Sequence, residues 1–299
     1  MRAIVTGGAG FIGSHLVDAL LVRGDEVVVV DDLSSGRREH VNPAAQLVES
    51  DVRDGLDAAG CDIVFHLAAQ ADVQTSMKRP DYDAAVNVVG TVNALGAAAP
   101  GAQVIFASSG GAGYGECAEP AGEDAPFLPL SPYGIAKKCG EEYLAGWNRI
   151  HGTSHVSLRF ANVYGPRQDA GLEGGVVAIF LERLARGDET VIYGDGGQSR
   201  DFVYVDDIVA ALLAAAGKSG GPYNVGTGEG TTVTALHTAC ARVAGSDAKP
   251  RIEGARLGDV RRSVLDPSRI ERELGWRAAV SLDDGLARTW AWTKEALTP

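Results

Sequence analysis

The sequence predicts an α/β protein built on a doubly wound, parallel sheet, with a smaller α/β lobe in its C-terminal half. Residues 2–6 form a short apolar segment that breaks at Gly7, a helix is predicted over about 14–23, and residues 27–30 form a second apolar segment. Unbroken apolar runs of this kind are typical of strands buried on both faces of a parallel sheet. Strand and helix patterns then continue to alternate, which predicts right-handed crossovers between parallel strands.

The remaining elements follow in chain order. We predict further strands near residues 46–49, 62–66, 103–107 and 155–160, and helices near residues 82–98 and 133–151. Beyond about Asn162, Gly- and Pro-rich turns separate a helix near 176–186, short strands at 191–193 and 223–225, and an apolar helix that begins at Asp206 and Asp207. We therefore expect a Rossmann domain over residues 1–162, with segments near 200–217 packing back onto it, and a second lobe formed mainly by residues 163–299.

Composition and charge exclude several classes of protein. The chain has 299 residues, of which 45% are hydrophobic and 22% are charged, as in ordinary globular proteins. A net charge of -12 and a pI near 4.9 argue against a nucleic-acid or anionic-membrane surface, which would need a basic patch. The longest apolar run, residues 208–216, is too short to span a bilayer, and the N-terminal MRAIVTGG shows no signal-peptide pattern. We expect a cytoplasmic protein.

The cysteines and histidines predict no metal site. The four cysteines, Cys61, Cys117, Cys139 and Cys240, form no C-x-x-C pair, which suits a reducing cytosol. No histidine has metal-ligand spacing around it, and we expect His66 to complete a buried strand end.

A glycine-rich turn lies between the first strand and the first helix. The run TGGAGFIG places Gly7, Gly10 and Gly13 at three-residue intervals, which allows a tight turn and a close backbone approach to a pyrophosphate at a helix N-terminus. Asp31 follows the second strand, where a carboxylate can accept the adenosine ribose hydroxyls and repel a 2′-phosphate. The alternative is that Asp31 and Asp32 are only turn residues before LSSG. We favour dinucleotide binding, and NAD over NADP, because both flanking elements are present.

The run SPYGIAK can place a tyrosine and a lysine on one face of a new helix. Ser131 is a good N-cap, and Pro132 suits the first helical position. Tyr133 and Lys137 are four residues apart and therefore point the same way. A nearby ammonium favours the phenolate of a tyrosine, which makes the tyrosine a usable base. The pair alone is weak evidence, because many helices carry such a pair on a solvated face.

Several motifs together resemble the extended short-chain dehydrogenase/reductases, and within them the NAD-dependent nucleotide-sugar epimerases. In the first half they are TGGAGFIG, the acid at Asp31, HLAAQ from His66, NVVGT from Asn87, SSGG before Tyr114, and Tyr133 with Lys137. In the second half they are NVYGPRQ, GVVAIF, VIYGDG, RDFVYVDD, YNVGTG and RLGDVRRS. The likeness spans nearly the whole chain.

The resemblance implies a set of site residues. Those expected to bind NAD are Gly7, Gly10, Phe11, Ile12, Gly13, Asp31, Asp32, Ser35, Asp51, Val52, Leu67, Ala68, Ala69, Asn87, Tyr133, Lys137 and Phe160. Those expected to bind the substrate are Ser109, Tyr133, Asn162, Val176, Val177, Tyr193, Arg200, Arg256 and Asp259. Within the second set, Arg200 and Arg256 would clamp the pyrophosphate, for which guanidinium forks are well suited, and Asp259 would hold the ribose.

The chain departs from the family at one catalytic position. The family usually has Ser or Thr four residues before the tyrosine that is Tyr114 here, and this chain has Gly110 there. Ser109 would then supply the hydroxyl, with Ser108 behind it. The alternative is that both serines merely end the preceding strand, as in many Ser-Ser-Gly-Gly turns. We favour Ser109, because the reaction needs a hydroxyl between the sugar oxygen and the tyrosine.

The resemblance implies a UDP-sugar 4-epimerase that acts through a transient 4-keto sugar, on UDP-glucose and UDP-galactose or on UDP-glucuronate and UDP-galacturonate. The phenolate of Tyr133 would remove the O4 proton while hydride passes from C4 to NAD and later returns to the other face of the sugar. The nearest alternatives are a nucleotide-sugar 4,6-dehydratase and a UDP-glucuronate decarboxylase, and one of another class is a non-catalytic NAD-sensing protein. Ser263, in the stretch where the family sets sugar size, is small, so a sugar with a bulky or charged substituent stays among the candidate substrates. The resemblance also implies a homodimer through the helices near 82–98 and 133–151.

Overall fold

Seven parallel strands form the main sheet of the protein, seen in a computed structural model that describes residues 1–98, 101–118, 120–171, 175–255 and 260–297. In chain order the strands are β1 Arg2–Thr6, β2 Glu26–Asp31, β3 Gln46–Glu49, β4 Ile63–His66, β5 Gln103–Ser109, β6 Val156–Phe160, β7 Asn162–Tyr164, β8 Val191–Tyr193, β9 Ser199–Arg200, β10 Phe202–Tyr204, β11 Tyr223–Val225, β12 Thr231–Thr232, β13 Arg251–Glu253 and β14 Arg262–Ser263. The helices are α1 Phe11–Val22, α2 Val73–Lys78, α3 Pro80–Ala84, α4 Gly90–Ala97, α5 Pro132–His151, α6 Val176–Arg186, α7 Val205–Ala215, α8 Val233–Ala244, α9 Ser268–Leu274 and α10 Leu282–Leu297.

The main sheet has the order β3-β2-β1-β4-β5-β6-β11, and every neighbouring pair in it is parallel. The strand order reverses between β1 and β4, and the crevice above such a point is where a doubly wound fold binds its ligand. The apolar runs are buried as expected: Val5, Val29 and Phe65 are each 0% exposed. The predicted doubly wound parallel sheet is confirmed.

Three small sheets occupy the C-terminal half. They pair β7 with β10, β8 with β13, and β9 with both β12 and β14. A second hydrophobic cluster, around Phe180, Leu181 and Leu236, lies between α6, α8 and α10. These elements form the smaller α/β lobe.

Two of the elements that the sequence predicts differ in the structure. The helix predicted near 82–98 is divided into α3, a π-helical turn over Ala85–Val89, and α4. The strand Tyr223–Val225, which we expected in the smaller lobe, pairs with β6 and forms the edge of the main sheet. The apolar helix α7 packs against α1 on the main sheet.

Within the described residues, no helix combines the length and the apolar character needed to cross a membrane. Over the same ranges, no group of three or more His, Cys, Asp or Glu side chains is arranged to hold a metal ion. The four cysteines are all unpaired.

Candidate active site

The glycine-rich turn brings β1, the loop after β4 and the start of α1 into close contact. Gly7 has a φ of +72°, and a Cβ atom there would lie 2.7 Å from the backbone nitrogen of Ala68. A Cβ atom on Gly13 would lie 2.1 Å from the carbonyl oxygen of Gly7. Only glycine allows this packing, which leaves the N-terminus of α1 open toward the crevice.

This crevice contains a cavity of about 340 Å³ at the carboxyl ends of the strands. Most of the residues predicted to bind NAD line it: Gly7, Gly10, Phe11, Ile12, Gly13, Asp31, Asp32, Ser35, Asp51, Val52, Leu67, Ala68, Ala69, Tyr133, Lys137 and Phe160. The cavity therefore runs from the acidic end of β2, past the glycine turn, to the tyrosine and lysine on α5. An elongated dinucleotide fits this arrangement, because the pyrophosphate would meet the helix N-terminus at its middle.

Asp31 is held rigidly at the end of β2. It is 6% exposed, its Oδ2 accepts a hydrogen bond from the Ala9 amide at 2.9 Å, and its Oδ1 accepts one from the Leu33 amide at 2.9 Å. Burial raises the pKa of this carboxyl, while the two amides act in the opposite sense. A carboxylate fixed in this way disfavours a phosphate beside it.

The start of α5 is built as the sequence predicts. The Ser131 hydroxyl accepts a hydrogen bond from the Gly134 amide at 3.1 Å, and Pro132 occupies the first helical position. The helix ends at Gly152 in the left-handed conformation. Tyr133 and Lys137 consequently stand one turn apart at the cavity end of the helix, and the Lys137 Nζ lies 5.7 Å from the centre of the Tyr133 ring.

Lys137 is an unusual lysine, because it is only 3% exposed. Its Nζ donates to the carbonyl oxygen of Ala107 at 2.9 Å and lies 5.0 Å from the centre of the Phe106 ring. Burial lowers the pKa of Lys137 to about 8, and the Asp83 carboxylate acts in the opposite sense. A lysine with this pKa retains its charge at neutral pH and can stabilise a neighbouring phenolate.

The two serines that end β5 lie in different surroundings. Ser108 is 3% exposed, and its hydroxyl donates to Glu141, which also forms a buried ion pair with Arg159. Ser109 is half-buried, and its Oγ accepts a hydrogen bond from the Ala112 amide at 3.2 Å. The oxygen of Ser109 is therefore bonded to the loop that follows β5, and among the described residues its hydroxyl hydrogen has no acceptor.

The described residues predicted to bind substrate come from the smaller lobe, from the end of β5 at Ser109 and from α5 at Tyr133. Asn162 begins β7, Val176 and Val177 begin α6, Tyr193 ends β8, and Arg200 ends β9. Backbone pairing places Arg200 opposite Thr231 on one side and Ser263 on the other. The Ser263 hydroxyl donates to the Gly111 carbonyl oxygen at 3.3 Å, and the backbone N–H of Asn162 donates to the backbone carbonyl oxygen of Asp201 at 2.9 Å. Asn162, Arg200 and Ser263 are thus joined to the loop that follows Ser109.

Of the predicted cofactor residues, Asn87 does not line the cavity, and of the predicted substrate residues only Tyr133 does; two further substrate residues cannot be placed. Arg256 and Asp259 lie outside the described residues. Asn87 is 1% exposed and lies behind the cavity wall, where its Oδ1 accepts from the Gln70 amide at 3.1 Å and its Nδ2 donates to the Gln70 carbonyl at 2.9 Å. Its contact is therefore with the HLAAQ loop.

Sequence reasoning also missed part of the cavity wall. Unpredicted lining residues include Gln70, Asp72, Thr75, Tyr82 and Val86. They come from the HLAAQ loop, from α2 and from the region of α3, where Asp72 caps α2 through bonds to the Gln74 and Thr75 amides. The Asp72 cap was a sequence signal that could have revealed α2.

The fold and the site together define a Rossmann-type protein of the short-chain dehydrogenase/reductase kind, with a tyrosine and a lysine on one helix beside a dinucleotide-binding crevice. The sequence model of the NAD-dependent epimerase/dehydratase family matches residues 3–226, and the chain belongs to that family.

Individual relatives agree with this family. A UDP-glucose 4-epimerase of Mycolicibacterium smegmatis is 46% identical over 304 residues, covering 97% of this chain and 97% of that protein. The crystal structure of a UDP-glucose 4-epimerase from Thermotoga maritima with UDP-glucose is similar with a TM-score of 0.94 and 43% identity, covering 100% of both chains. The UDP-glucose 4-epimerase of Thermus thermophilus, solved with NAD, is similar with a TM-score of 0.92 and 41% identity, covering 99% of this chain and 100% of that chain.

Proposed function

We propose that this protein is an NAD-dependent UDP-sugar 4-epimerase, an isomerase that interconverts UDP-glucose and UDP-galactose or UDP-glucuronate and UDP-galacturonate. The observation that carries the proposal is the position of Tyr133 and the buried Lys137 at the end of the dinucleotide crevice. The similarity to UDP-glucose 4-epimerases over nearly the whole chain supports the same reaction.

The chain's own groups supply the proton chemistry. Tyr133, as a phenolate stabilised by the Lys137 ammonium, removes the proton from O4 of the sugar and later returns it. Ser109 donates a hydrogen bond that orients O4 toward Tyr133. Bound NAD would accept the hydride from C4 and give it back. The reaction has no net redox change, so the cofactor need not leave between turnovers.

The nucleotide end of the substrate is assigned to the smaller lobe. We assign Arg200, together with Arg256, to the pyrophosphate, since a guanidinium can bind phosphate oxygens with two parallel bonds. Tyr193 is assigned to the base, Asn162 and the start of α6 at Val176 and Val177 to the adjacent nucleotide atoms, and Asp259 to the ribose. These assignments follow the family pattern at matching positions.

The dehydratase and decarboxylase alternatives are disfavoured by the loop after Ser109. Eliminating water needs an acid and a base near C5 and C6 of the sugar. A Cβ atom on Gly110 would lie 2.6 Å from Leu265, so no acidic side chain fits there without rearrangement. Glu116 is exposed and accepts hydrogen bonds from the amides of Arg261 and Arg262 at 2.6 and 2.9 Å. Neither position supplies a carboxylate for elimination.

We also propose a homodimer in the cytoplasm. Ile135, Tyr143 and Ile150 are 51%, 44% and 74% exposed, and their spacing places them on one face of α5. Val89, which is 48% exposed, immediately precedes α4, and α4 packs against α5. These exposed apolar side chains form a stripe along α4 and α5 that can pack against the same stripe of a second copy of the chain. The unpaired cysteines suit a reducing compartment.

The test is product identification. The purified protein is incubated with a panel of UDP-sugars and catalytic NAD, and products are identified by NMR and mass spectrometry. We expect C4 epimers that retain every carbon and oxygen of the substrate. Loss of water or carbon dioxide as the main outcome would support the dehydratase or decarboxylase, and NAD binding without any conversion would support the sensing protein.

A further inference from the structure

The carboxyl group of Asp83 is buried behind the cofactor cavity, and one of its oxygens lacks a partner. Asp83 is 1% exposed, and its Oδ1 accepts hydrogen bonds from Gln70 Nε2 at 2.8 Å and from Asn87 Nδ2 at 3.0 Å. Within the described residues, its Oδ2 is buried and meets no hydrogen-bond donor. Buried carboxylate oxygens are normally satisfied, so this one needs an explanation.

Backbone hydrogen bonds determine the orientations of the side-chain amides of Gln70 and Asn87. The backbone N–H of Gln70 donates to Asn87 Oδ1, and the backbone N–H of Asp72 donates to Gln70 Oε1 at 2.7 Å. The NH₂ groups of Gln70 and Asn87 must therefore face Asp83, and Oδ1 of Asp83 carries no proton. A proton could sit only on Oδ2, where the described residues supply neither donor nor acceptor. With both NH₂ groups on Oδ1 and no partner for Oδ2 among the described residues, an ionised Asp83 would need a compensating positive charge nearby.

Lys137 is the buried cation on the helix packed against Asp83. Helix α3 packs against α5, and Lys137 is 3% exposed with one hydrogen bond, to Ala107. Burial raises the pKa of Asp83 while the Lys137 charge lowers it, and the Asp83 charge raises the pKa of Lys137 against its burial. Each ion therefore stabilises the charged form of the other.

The other ionisable groups near this pair do not replace either partner. Burial lowers the pKa of His66 to about 3, so it is neutral at pH 7. Arg159 is paired with Glu141. On the elements packed against this end of α5, Lys78 and Asp81 are exposed and Tyr82 lines the cofactor cavity. On α5 itself, Tyr133 is the base that Lys137 serves, and Lys138 is bonded to the Phe127 carbonyl. The other titratable groups of α5 are Cys139, which is half-buried, and Glu142, Tyr143, Arg149 and His151, which are exposed.

We propose that Asp83 is the ionised counter-ion of Lys137 and a positioning residue for the epimerisation. It keeps the lysine charged, so that Tyr133 has a cation beside it, and it holds the HLAAQ loop through Gln70 and Asn87. The free Oδ2 is the acceptor that an ordered water between the two ions would use. The catalytic consequence rests on the proposed function, whereas the charge coupling does not.

The direct test measures the pKa of Lys137 without requiring activity. The protein is labelled with ¹³Cε-lysine in a Tyr133→Phe background, which removes the coupled phenol, and Lys137 is assigned by comparison with Lys137→Met. Replacing Asp83 by Asn preserves the shape and removes the charge, and we expect the ionisation constant of Lys137 to rise at least about tenfold, a fall of about one pKa unit. The matched control is Asp207→Asn, another buried carboxylate, which caps the Ala279 and Val280 amides. It should leave Lys137 unchanged.

An unchanged Lys137 pKa in folded Asp83→Asn protein would overturn the proposal. If that variant does not fold, the carboxyl carbon of Asp83 can be titrated by NMR in protein that retains it. Replacing Lys137 by Met should then raise the pKa of Asp83, and an unchanged titration would equally overturn the proposal. In active enzyme, Asp83→Asn should move the alkaline limb of the kcat/KM profile to lower pH, and Asp207→Asn should not.

Discussion

The hydroxyl of Ser108 donates a 2.5 Å hydrogen bond to Oε1 of Glu141. The same carboxylate is bound by Arg159 through Nε at 2.9 Å and Nη2 at 2.6 Å, and Nη1 of this arginine donates to the Tyr114 hydroxyl at 2.6 Å. Ser108 is thus part of a buried polar network that joins β5, α5 and β6. The hydroxyl hydrogen of Ser108 is already donated to Glu141, whereas the Ser109 hydroxyl only accepts a hydrogen bond, from the Ala112 amide.

The serine variants should therefore separate activity from stability. We expect Ser109→Ala to reduce turnover much more than Ser108→Ala, because it removes the hydrogen bond to the sugar oxygen. Ser108→Ala should instead lower the free energy of unfolding by about 1 kcal/mol, since Glu141 loses one donor and keeps Arg159. Turnover and urea denaturation of both variants check this ranking. The reverse order of activities would show that the hydroxyl missing at Gly110 is supplied by Ser108.

Tyr133→Phe keeps the ring and removes the ionisable oxygen. We expect turnover to fall by at least about a hundredfold, because a general base typically contributes that much, with little change in nucleotide affinity. Steady-state kinetics and calorimetric titration with UDP measure the two quantities. Turnover near that of the parent protein would remove Tyr133 from the proposed mechanism.

Replacing Lys137 by Met should make the cofactor-free protein more stable and less active. Burial places the folded-state pKa near 8, below the ordinary value of 10.5, so at pH 7 the folded protein bears the cost of burying a charged lysine. We expect the variant to gain about 1–3 kcal/mol at pH 7. In the wild-type protein Lys137 becomes neutral as the pH rises from about 8 to 10.5, and the energetic cost of burying its charge disappears with it. The stability difference between the variant and the wild-type protein should therefore vanish above that range.

Urea denaturation at pH 7 and at about pH 10.5 measures the difference. Lys138→Met is the matched control, because this neighbouring side chain is only partly buried and bonds to the Phe127 carbonyl. A gain that is as large at alkaline pH, or that also occurs in the control, would contradict the explanation.

The position of Asp31 predicts a preference between the two nicotinamide dinucleotides. A buried carboxylate held by the Ala9 and Leu33 amides cannot move away from a 2′-phosphate, so NAD should bind more tightly than NADP. Calorimetric titration with both cofactors decides the question. In Asp31→Asn protein the preference should shrink, and equal affinities in the parent protein would argue against the assignment.

The exposed stripe on α5 predicts a dimer in solution. Light scattering at micromolar concentration should give twice the chain mass, and Tyr143→Glu should shift the protein toward the monomer by placing a charge in the interface. Ile252→Glu is the control, since Ile252 is 60% exposed on β13 and lies outside the stripe. A monomer mass for the parent protein would refute this assembly.

The sequence was most informative where a local pattern determines the structure. The unbroken apolar runs located the strands of the main sheet, and Ser131 with Pro132 located the start of α5. The break in the helix near 82–98 had no comparable local signal: its π-helical turn contains Asn87, whose side chain bonds to Gln70, a residue outside that helix. The buried position of Glu141 could not be predicted from the sequence either, since a glutamate on an amphipathic helix is normally solvent-exposed.

Short elements were predicted least well. The strand Tyr223–Val225 was found, but three residues contain no information about the neighbour with which they pair, and that neighbour is β6. Helix α8 was missed although Thr232 caps its start and Gly245 ends it in the left-handed conformation. Thr232 and Gly245 are sequence signals for the start and the end of a helix, and they could have predicted α8.

The pairing of β11 with β6 also bears on how the chain can be divided. The outer strand of the cofactor-binding sheet comes from residues 223–225, and the helix α7 that covers α1 comes from residues 205–215. During synthesis the ribosome must deliver the greater part of the chain before this sheet can acquire its last strand. Cleavage between the halves would expose the edge of β6 to pairing with other chains, so the two lobes cannot be prepared as separate pieces by a single cut.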